Sequence, residues 1–414
     1  MTRRLRTAGA VMMPALFIIS GCPFSEPAVN WPSERLDTSP STQPAAARIG
    51  DIDGDGRKDV VSVWRGSTAD GAKPGAVAIH YQGAGGGSWN TVVASASTRY
   101  INANAVSIAD MNGDGRPDIL VAAADRITYL RSPPDPRIAA DWTAFDIAAS
   151  MNATFKAWFD VASAQIDGVD GRDIVATLND VGRLVWFASP ANPDSAEGWT
   201  LHSIDSTTRS GADSLVLVDM NGDGRLDVVC SATGDTNGVI SWYEQPDDPA
   251  AGTWPKHIMT KFSGATRLAL GDVDGDGTVD LVAVSPDRAQ VAWFPRPSPV
   301  TAAWNGWVLA DYTKNQADQR VPVDVAIADM DNDGRNDVIV VGNNPACVFW
   351  YTPRSNIKAA WAEHRVAAVA NVGYALSAVD DTDGDGLVDV VVPVDHDSDS
   401  SLDRVERFIN PGNP

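Results

Sequence analysis

The chain has 414 residues and a formal net charge of −22, with 54 acidic side chains against 32 basic ones. That balance excludes a nucleic-acid-binding surface, because affinity for a phosphate backbone comes from clustered basic groups. Apolar residues make up 44% of the chain, ample for an extensive core, and with only three cysteines a disulfide framework is excluded as its organising principle.

Arg3, Arg4 and Arg6 precede an apolar run from Ala8 to Ile19 that ends in Ile19-Ser-Gly-Cys22. A basic start and a short apolar stretch closed by small residues read as an export signal over residues 1–21. The run is too short for a comfortable membrane span. Ile-Ser-Gly-Cys resembles the bacterial lipobox, which implies lipidation of Cys22, and Pro23 in place of an aspartate points to the outer membrane or cell surface of a bacterium. Residues 22–30 then form a short tether, and 31–414 one folded domain.

From residue 31 onward one phrase recurs. It carries oxygen side chains at positions 1, 3 and 5, glycine at 6, a main-chain carbonyl at 7 and a carboxylate at 9. The copies are Asp51, Asp53, Asp55, Arg57, Asp59; Asp110, Asn112, Asp114, Arg116, Asp118; Asp219, Asn221, Asp223, Arg225, Asp227; Asp272, Asp274, Asp276, Thr278, Asp280; Asp329, Asp331, Asp333, Arg335, Asp337; and Asp381, Asp383, Asp385, Leu387, Asp389. Such a set can wrap one hard cation, since Ca2+ takes six to eight oxygens at about 2.3–2.6 Å. An EF-hand does not fit, because no acidic residue stands at position 12 and no helical pattern flanks the loop. In a seventh copy, Gln165-Ile-Asp167-Gly-Val-Asp170-Gly-Arg-Asp173, the first carboxylate is lost and the glycine shifted. It is expected to bind no metal.

First positions fall at 51, 110, 165, 219, 272, 329 and 381, a period of 52 to 59 residues. Four apolar segments return within each period. One enters the loop, one leaves it, a third carries paired aromatics (Trp186-Phe187, Trp242-Tyr243, Trp293-Phe294, Trp350-Tyr351), and a fourth starts at Trp89, Trp142, Trp199, Trp254, Trp307 or Trp361. Four short strands per period make an antiparallel propeller blade. Trp31 begins a fourth strand with no earlier strands before it, while the last segment, Val405 to Pro411, matches a third strand and stops. The expected fold is all-β: a seven-bladed β-propeller of four-stranded antiparallel blades, closed by the N-terminal strand joining the last blade.

On these loops the chain resembles the FG-GAP and VCBS repeat families, whose relatives include the propeller of integrin alpha subunits, over residues 31–411. The resemblance implies Ca2+ in about six loops as the cofactor. The intact loops hold 22 of the 54 acidic residues. Crowded like charges destabilise a fold, so bound metal is expected to support it.

No catalytic signature emerges, and no residue is assigned a catalytic role. His202, His257 and His364 recur three residues after a tryptophan, a structural pattern; His80 and His396 stand outside it. Cys230 and Cys347 fall on blades that do not touch, which predicts two buried thiols and no disulfide. Loops on a rigid scaffold commonly carry function. A ligand site is therefore expected where fourth strands pass to the next blade, opposite the metal loops, with Arg99, Tyr100, Lys156, Trp158, Arg209, Arg267, Arg320 and Tyr374 around the channel mouth. Cations and aromatics there suit an anionic or carbohydrate ligand. The expected protein is a monomeric binding or scaffold module for an extracellular protein or glycan, touching the membrane only through a lipid. The alternative, from resemblance to some polysaccharide lyases and a sugar dehydratase, is an enzyme with Lys156 or His80 as base.

Overall fold

The computed structural model describes residues 31–37, 42–67, 73–85, 87–147, 157–206, 211–233, 238–314, 320–343, 347–354, 357, 360–368, 377–395 and 403–412. Blade 1 contains β2 (Pro44–Gly50), β3 (Asp59–Trp64), β4 (Gly75–Gln82) and β5 (Trp89–Ser97). Blade 2 contains β6 (Ala105–Ala109), β7 (Asp118–Ala123), β8 (Arg126–Arg131) and β9 (Thr143–Asp146), and blade 3 contains β10 (Trp158–Ala164), β11 (Asp173–Leu178), β12 (Arg183–Ala188) and β13 (Thr200–Asp205). Blade 4 is built from β14 (Ala212–Val218), β15 (Asp227–Ala232), β16 (Val239–Tyr243) and β17 (Lys256–Lys261), and blade 5 from β18 (Arg267–Gly271), β19 (Asp280–Ser285), β20 (Gln290–Phe294) and β21 (Trp307–Asp311). Blade 6 is β22 (Val321–Ala328), β23 (Asp337–Asn343), β24 (Cys347–Thr352) and β25 (Ala362–Ala368); blade 7 is β26 (Ala378–Asp380), β27 (Asp389–Val394), β28 (Arg404–Phe408) and, from the other end of the chain, β1 (Ser33–Asp37).

Each sheet is antiparallel and ordered first to fourth strand, and the first strands touch in sequence around a closed ring, β26 meeting β2. The second strands show why the ring forms. β3, β7, β11, β15, β19 and β27 are buried along their whole length, so both faces are covered by neighbouring blades. That is why they read as unbroken apolar runs and not as alternating ones. Each second strand also starts on the ninth residue of its loop, so the loop geometry and the strand register are one feature.

Closure follows the sequence expectation. Glu34 of β1 faces Arg407 of β28, and Ser33 faces Phe408. Trp31 donates its N–H to the Val366 carbonyl of blade 6 at 3.2 Å. Leu36 packs with Val60 and Trp64 of blade 1 and Val391 and Val405 of blade 7, sealing the seam. Cys230 and Cys347 are buried and form no disulfide.

The fourth strand of blade 5 starts at Trp307 as expected, but the tryptophan that closes the preceding connection stands three residues earlier than the spacing of the other blades implies. Trp142, Trp199, Trp254 and Trp361 donate their indole N–H to the carbonyls of Pro136, Ser195, Pro249 and Ile357, closing the connection that precedes the fourth strand. In blade 5 this is done by Trp304, bonded to Val300, and not by Trp307. Trp307 instead pairs with Trp293, in the register where His202, His257 and His364 stack on Trp186, Trp242 and Trp350 at 4.2–4.4 Å. Spacing correctly starts β21 at Trp307, but it does not tell which of the two tryptophans closes the connection.

Candidate functional site

The intact loops share one hydrogen-bond scheme. In loop 1, Asp51 Oδ1 accepts the Asp55 N–H (3.1 Å) and its Oδ2 the Gly56 N–H (2.9 Å); Asp53 Oδ1 also accepts from Asp55 (3.2 Å), and Asp55 Oδ1 accepts from Arg57 (3.0 Å). The sixth-position glycines, Gly56, Gly115, Gly224, Gly277, Gly334 and Gly386, have φ of 84–88°, a left-handed turn that a side chain would strain. The backbone thus turns its N–H groups onto one set of carboxylate oxygens and aims the others inward. Three carboxylates converge within 4.8 Å in each of four loops: Asp51, Asp53, Asp59; Asp272, Asp274, Asp276; Asp329, Asp331, Asp333; and Asp381, Asp383, Asp385. The donors are all oxygens, which fits a hard cation. These clusters can hold metal ions.

Loops 2 and 4 are completed differently. Asn112 and Asn221 accept the Asp114 and Asp223 N–H groups through Oδ1 at 3.0 Å, and their Nδ2 groups donate both to Asp114 and Asp223 Oδ2 within the loop and to Asp194 and Glu244 outside it at 3.2 Å. A carboxylate from elsewhere therefore stands beside each of these two loops. In loop 1 the outer neighbour is a cation: Arg137 Nε donates to Asp53 Oδ2 at 2.7 Å. The degenerate loop 3 is held by Gln165, whose Nε2 donates to the carbonyls of Val169, Asp170 and Gly171, at 2.9 Å for the last. An amide donor meets there the carbonyls of the turn itself.

The ninth-position carboxylates are fully buried at the foot of the loops. Oδ2 accepts the N–H of loop position 2, and Oδ1 accepts an N–H at or just past the end of the third strand: Gln82 for Asp59, Ser132 for Asp118, Ser189 for Asp173, Gln245 for Asp227, Arg296 for Asp280 and Asn410 for Asp389. Blade 6 has Pro353 in that slot, which has no N–H, and Asp337 Oδ1 is buried without a partner. Burial raises the acid pKa to about 6 for Asp59, about 7 for Asp118 and about 8 for Asp337. The slot has a second use. Side chains of Gln82, Gln245, Arg296 and Asn410 reach back to the position-2 carbonyl of the preceding loop (Thr382, Ile166, Met220, Met330) at 2.5–2.9 Å. In blade 6 Asn336 substitutes, bonding the Asp272 carbonyl at 2.8 Å. Loops are thereby tied to loops around the ring.

Of the residues named for the ligand site at the opposite mouth, among the described ones Arg267 lines the channel cavity, and Arg99, Tyr100, Trp158 and Arg320 do not. Tyr100 and Trp158 are fully buried. Arg99 pairs with Asp146 on a fourth strand at 2.9 Å, and Arg320 is buried against Glu363 at 2.9 Å, over the rings of Tyr312 and Phe349. Each answers a local need, apolar burial or a carboxylate, before any shared opening. Lys156, Arg209, Tyr374, His396 and Cys22 lie outside the described residues. His80, named as a candidate base, has no exposed surface.

Beside Arg267, the channel holds charges that the sequence reading missed, Arg48, Asp160 and Asp324. A cavity of about 560 Å³ is bounded by all seven first strands, with Arg48, Asp160, Arg267 and Asp324 among its lining. Asp160 Oδ2 accepts the Leu215 N–H of the next blade at 3.1 Å, and Asp324 Oδ2 accepts the Ser377 N–H and hydroxyl at 2.6 and 2.8 Å. Burial raises the pKa of both, and Arg267 works against it. Their signal was present: a charged residue inside a strand otherwise built of small and apolar ones.

Residues 51–121 and 219–283 match the family described as FG-GAP-like repeat, covering loops 1, 2, 4 and 5. This is an FG-GAP-repeat propeller. No curated protein matches it. Among solved structures, the FG-GAP-repeat propeller is similar to one showing how an Agrocybe aegerita lectin recognises non-reducing terminal N-acetylglucosamine, at 13% identity over 79% of this chain and 81% of that one, with a TM-score of 0.51. It is also similar to a chain of the crystal structure of BBS1N in complex with ARL6DN, soaked with lead, at 12% identity over 93% and 99% of the two chains, TM-score 0.53. At such identities the likeness is one of fold.

Proposed function

We propose that this propeller is a calcium-stabilised, non-enzymatic binding or scaffold module, exported and lipid-anchored through Cys22, that presents a rigid ring to an extracellular protein or glycan. The observation carrying this reading is the ring of aspartate loops in one register, linked to each other through backbone carbonyls. Oxygen-only donors on flexible-geometry loops favour Ca2+ over Mg2+, which demands near-ideal octahedra. A cation there stiffens the scaffold without taking part in chemistry. The lectin relative makes a glycan the first ligand class to try, and the export reading draws on the basic and apolar start of the sequence.

The test is a binding screen of the full mature chain against bacterial and host glycans and extracellular proteins, in calcium and in chelator. Saturable binding that weakens in chelator is expected. Uniformly blank screens in calcium would remove the module reading.

A further inference from the structure

Third and fourth strands meet at one recurring residue pair in every blade. The Cα partners are Ile79 and Val92, Tyr129 and Phe145, Trp186 and His202, Trp242 and His257, Trp293 and Trp307, Trp350 and His364. In blade 7 the pair is Arg407 and Glu34, an ion pair where other blades stack rings or pack aliphatic groups. The slot adjoins the ninth-position carboxylate: Trp293 Nε1 donates to Asp280 Oδ2 at 3.0 Å, and the Tyr129 hydroxyl to Asp118 Oδ2 at 3.2 Å.

Arg407 makes the same contact with a full charge. Nε and Nη2 donate to Asp389 Oδ2 at 3.2 and 2.8 Å, and Nη2 also to Asp383 Oδ2 at 2.6 Å. Two of the four carboxylates of loop 7 are thus bonded to one guanidinium whose side chain is 1% exposed. Glu34 meets the opposite nitrogen, Nη1, at 3.3 Å and is shared with the Trp89 indole N–H at 3.1 Å. A guanidinium cannot shed its proton, and here it has no route to water. Loop 5 is the contrast: among the described residues, Asp272, Asp274, Asp276 and Asp280 accept from no arginine or lysine side chain, and position 7 is Thr278.

We infer that Arg407 is the resident cation of loop 7. It supplies from within the chain part of the positive charge that a metal ion supplies elsewhere, so loop 7 binds Ca2+ at least tenfold more weakly than loop 5. The blade assembled from both chain ends then keeps its loop and its N-terminal strand together when calcium is scarce, through Asp383, Asp389 and Glu34 on one side chain. This inference rests on the calcium reading of the loops.

The experiment titrates Ca2+ into the calcium-stripped full mature chain against a chromogenic chelator, comparing wild type with Asp272→Asn and Asp381→Asn. Both substitutions remove a first-position ligand from an exposed loop. Loss of a tight site in Asp272→Asn, and of a site at least tenfold weaker in Asp381→Asn, is expected. Arg407→Met is expected to tighten the loop 7 site at least tenfold and to deepen the fall in melting temperature on chelation. Equal affinities at the two loops, or a loop 7 affinity unchanged in Arg407→Met, would overturn the inference and leave the calcium reading standing. No calcium bound by any variant overturns the calcium reading, and this inference with it.

Discussion

His80 lies in a hydrogen-bonded chain whose direction is set at both ends. The Trp64 indole can only donate, to Ser62 Oγ at 2.9 Å, so the Ser62 hydroxyl hydrogen points to His80 Nε2 at 2.8 Å; the Leu36 carbonyl can only accept, from Thr91 Oγ1 at 3.2 Å, so Thr91 takes the His80 Nδ1–H at 2.9 Å. The ring is therefore the neutral Nδ1–H tautomer, and burial lowers its pKa to about 3. The unfolded chain protonates this histidine near its ordinary value, so the stability it contributes is complete above about pH 6.5 and is lost as pH falls toward 3. At pH 4.5 that loss is about 3 kcal/mol. His80→Gln, which keeps a donor and an acceptor, is expected to flatten this part of the pH profile; urea melts at pH 7 and 4.5 showing the same loss in both proteins would contradict it. Asp337 offers a second case. Above the raised pKa of Asp337, at about pH 9 where its carboxylate is charged, Pro353→Ala supplies the missing N–H, worth about 1.5–3 kcal/mol to a charged acceptor, against about 0.4–1 kcal/mol for the freer unfolded chain. Net stabilisation of metal-free protein is expected, read as a higher melting temperature.

At the scale of elements, the weak point of any ring is where the chain ends meet. Blade 7 borrows its fourth strand, and Trp31 carries that strand's anchor between blades 6 and 7, against Met330, Ile339, Trp350 and Val366. Large aromatic-to-alanine changes in a core cost about 3–5 kcal/mol. Trp31→Ala is expected to fall in that range by equilibrium unfolding, and an unmoved midpoint would mean that closure is held elsewhere. The strands themselves were legible because each has a single apolar pattern set by its depth in the blade. The Trp304 and Trp307 exchange shows where that legibility stops: two identical side chains three residues apart are separated only by which one meets the Val300 carbonyl and which one faces Trp293.

For the whole molecule, the charge of −22 is concentrated, since 22 of 54 acidic residues lie in six loops on one ring. Chelation is expected to lower the melting temperature by leaving those carboxylates to repel one another. Salt separates this from a loss of specific contacts: at 1 M ionic strength the screening length is about 3 Å, so the chelated protein should recover part of the deficit. A deficit indifferent to salt would mean that repulsion is not its cause. Loop-to-loop hydrogen bonds through Gln82, Gln245, Arg296 and Asn410 pass that strain around the ring.

The sequence by itself determined the blade count, the strand order, the closure by Trp31 and the positions of the loops, because each depends on spacing along one chain and repeats seven times. Only the tertiary structure decided the partners. The mouth residues Arg99, Tyr100, Trp158 and Arg320 turn to local burial and local carboxylates, whereas Asp160 and Asp324, unremarked in sequence, clasp the backbone of the next blade. Arg407 reads as one more basic residue in a third strand until the ring brings loop 7 and the N-terminal strand to it. A repeat prescribes what its copies share. The departures acquire meaning only when folding places residues far apart in the chain within bonding distance.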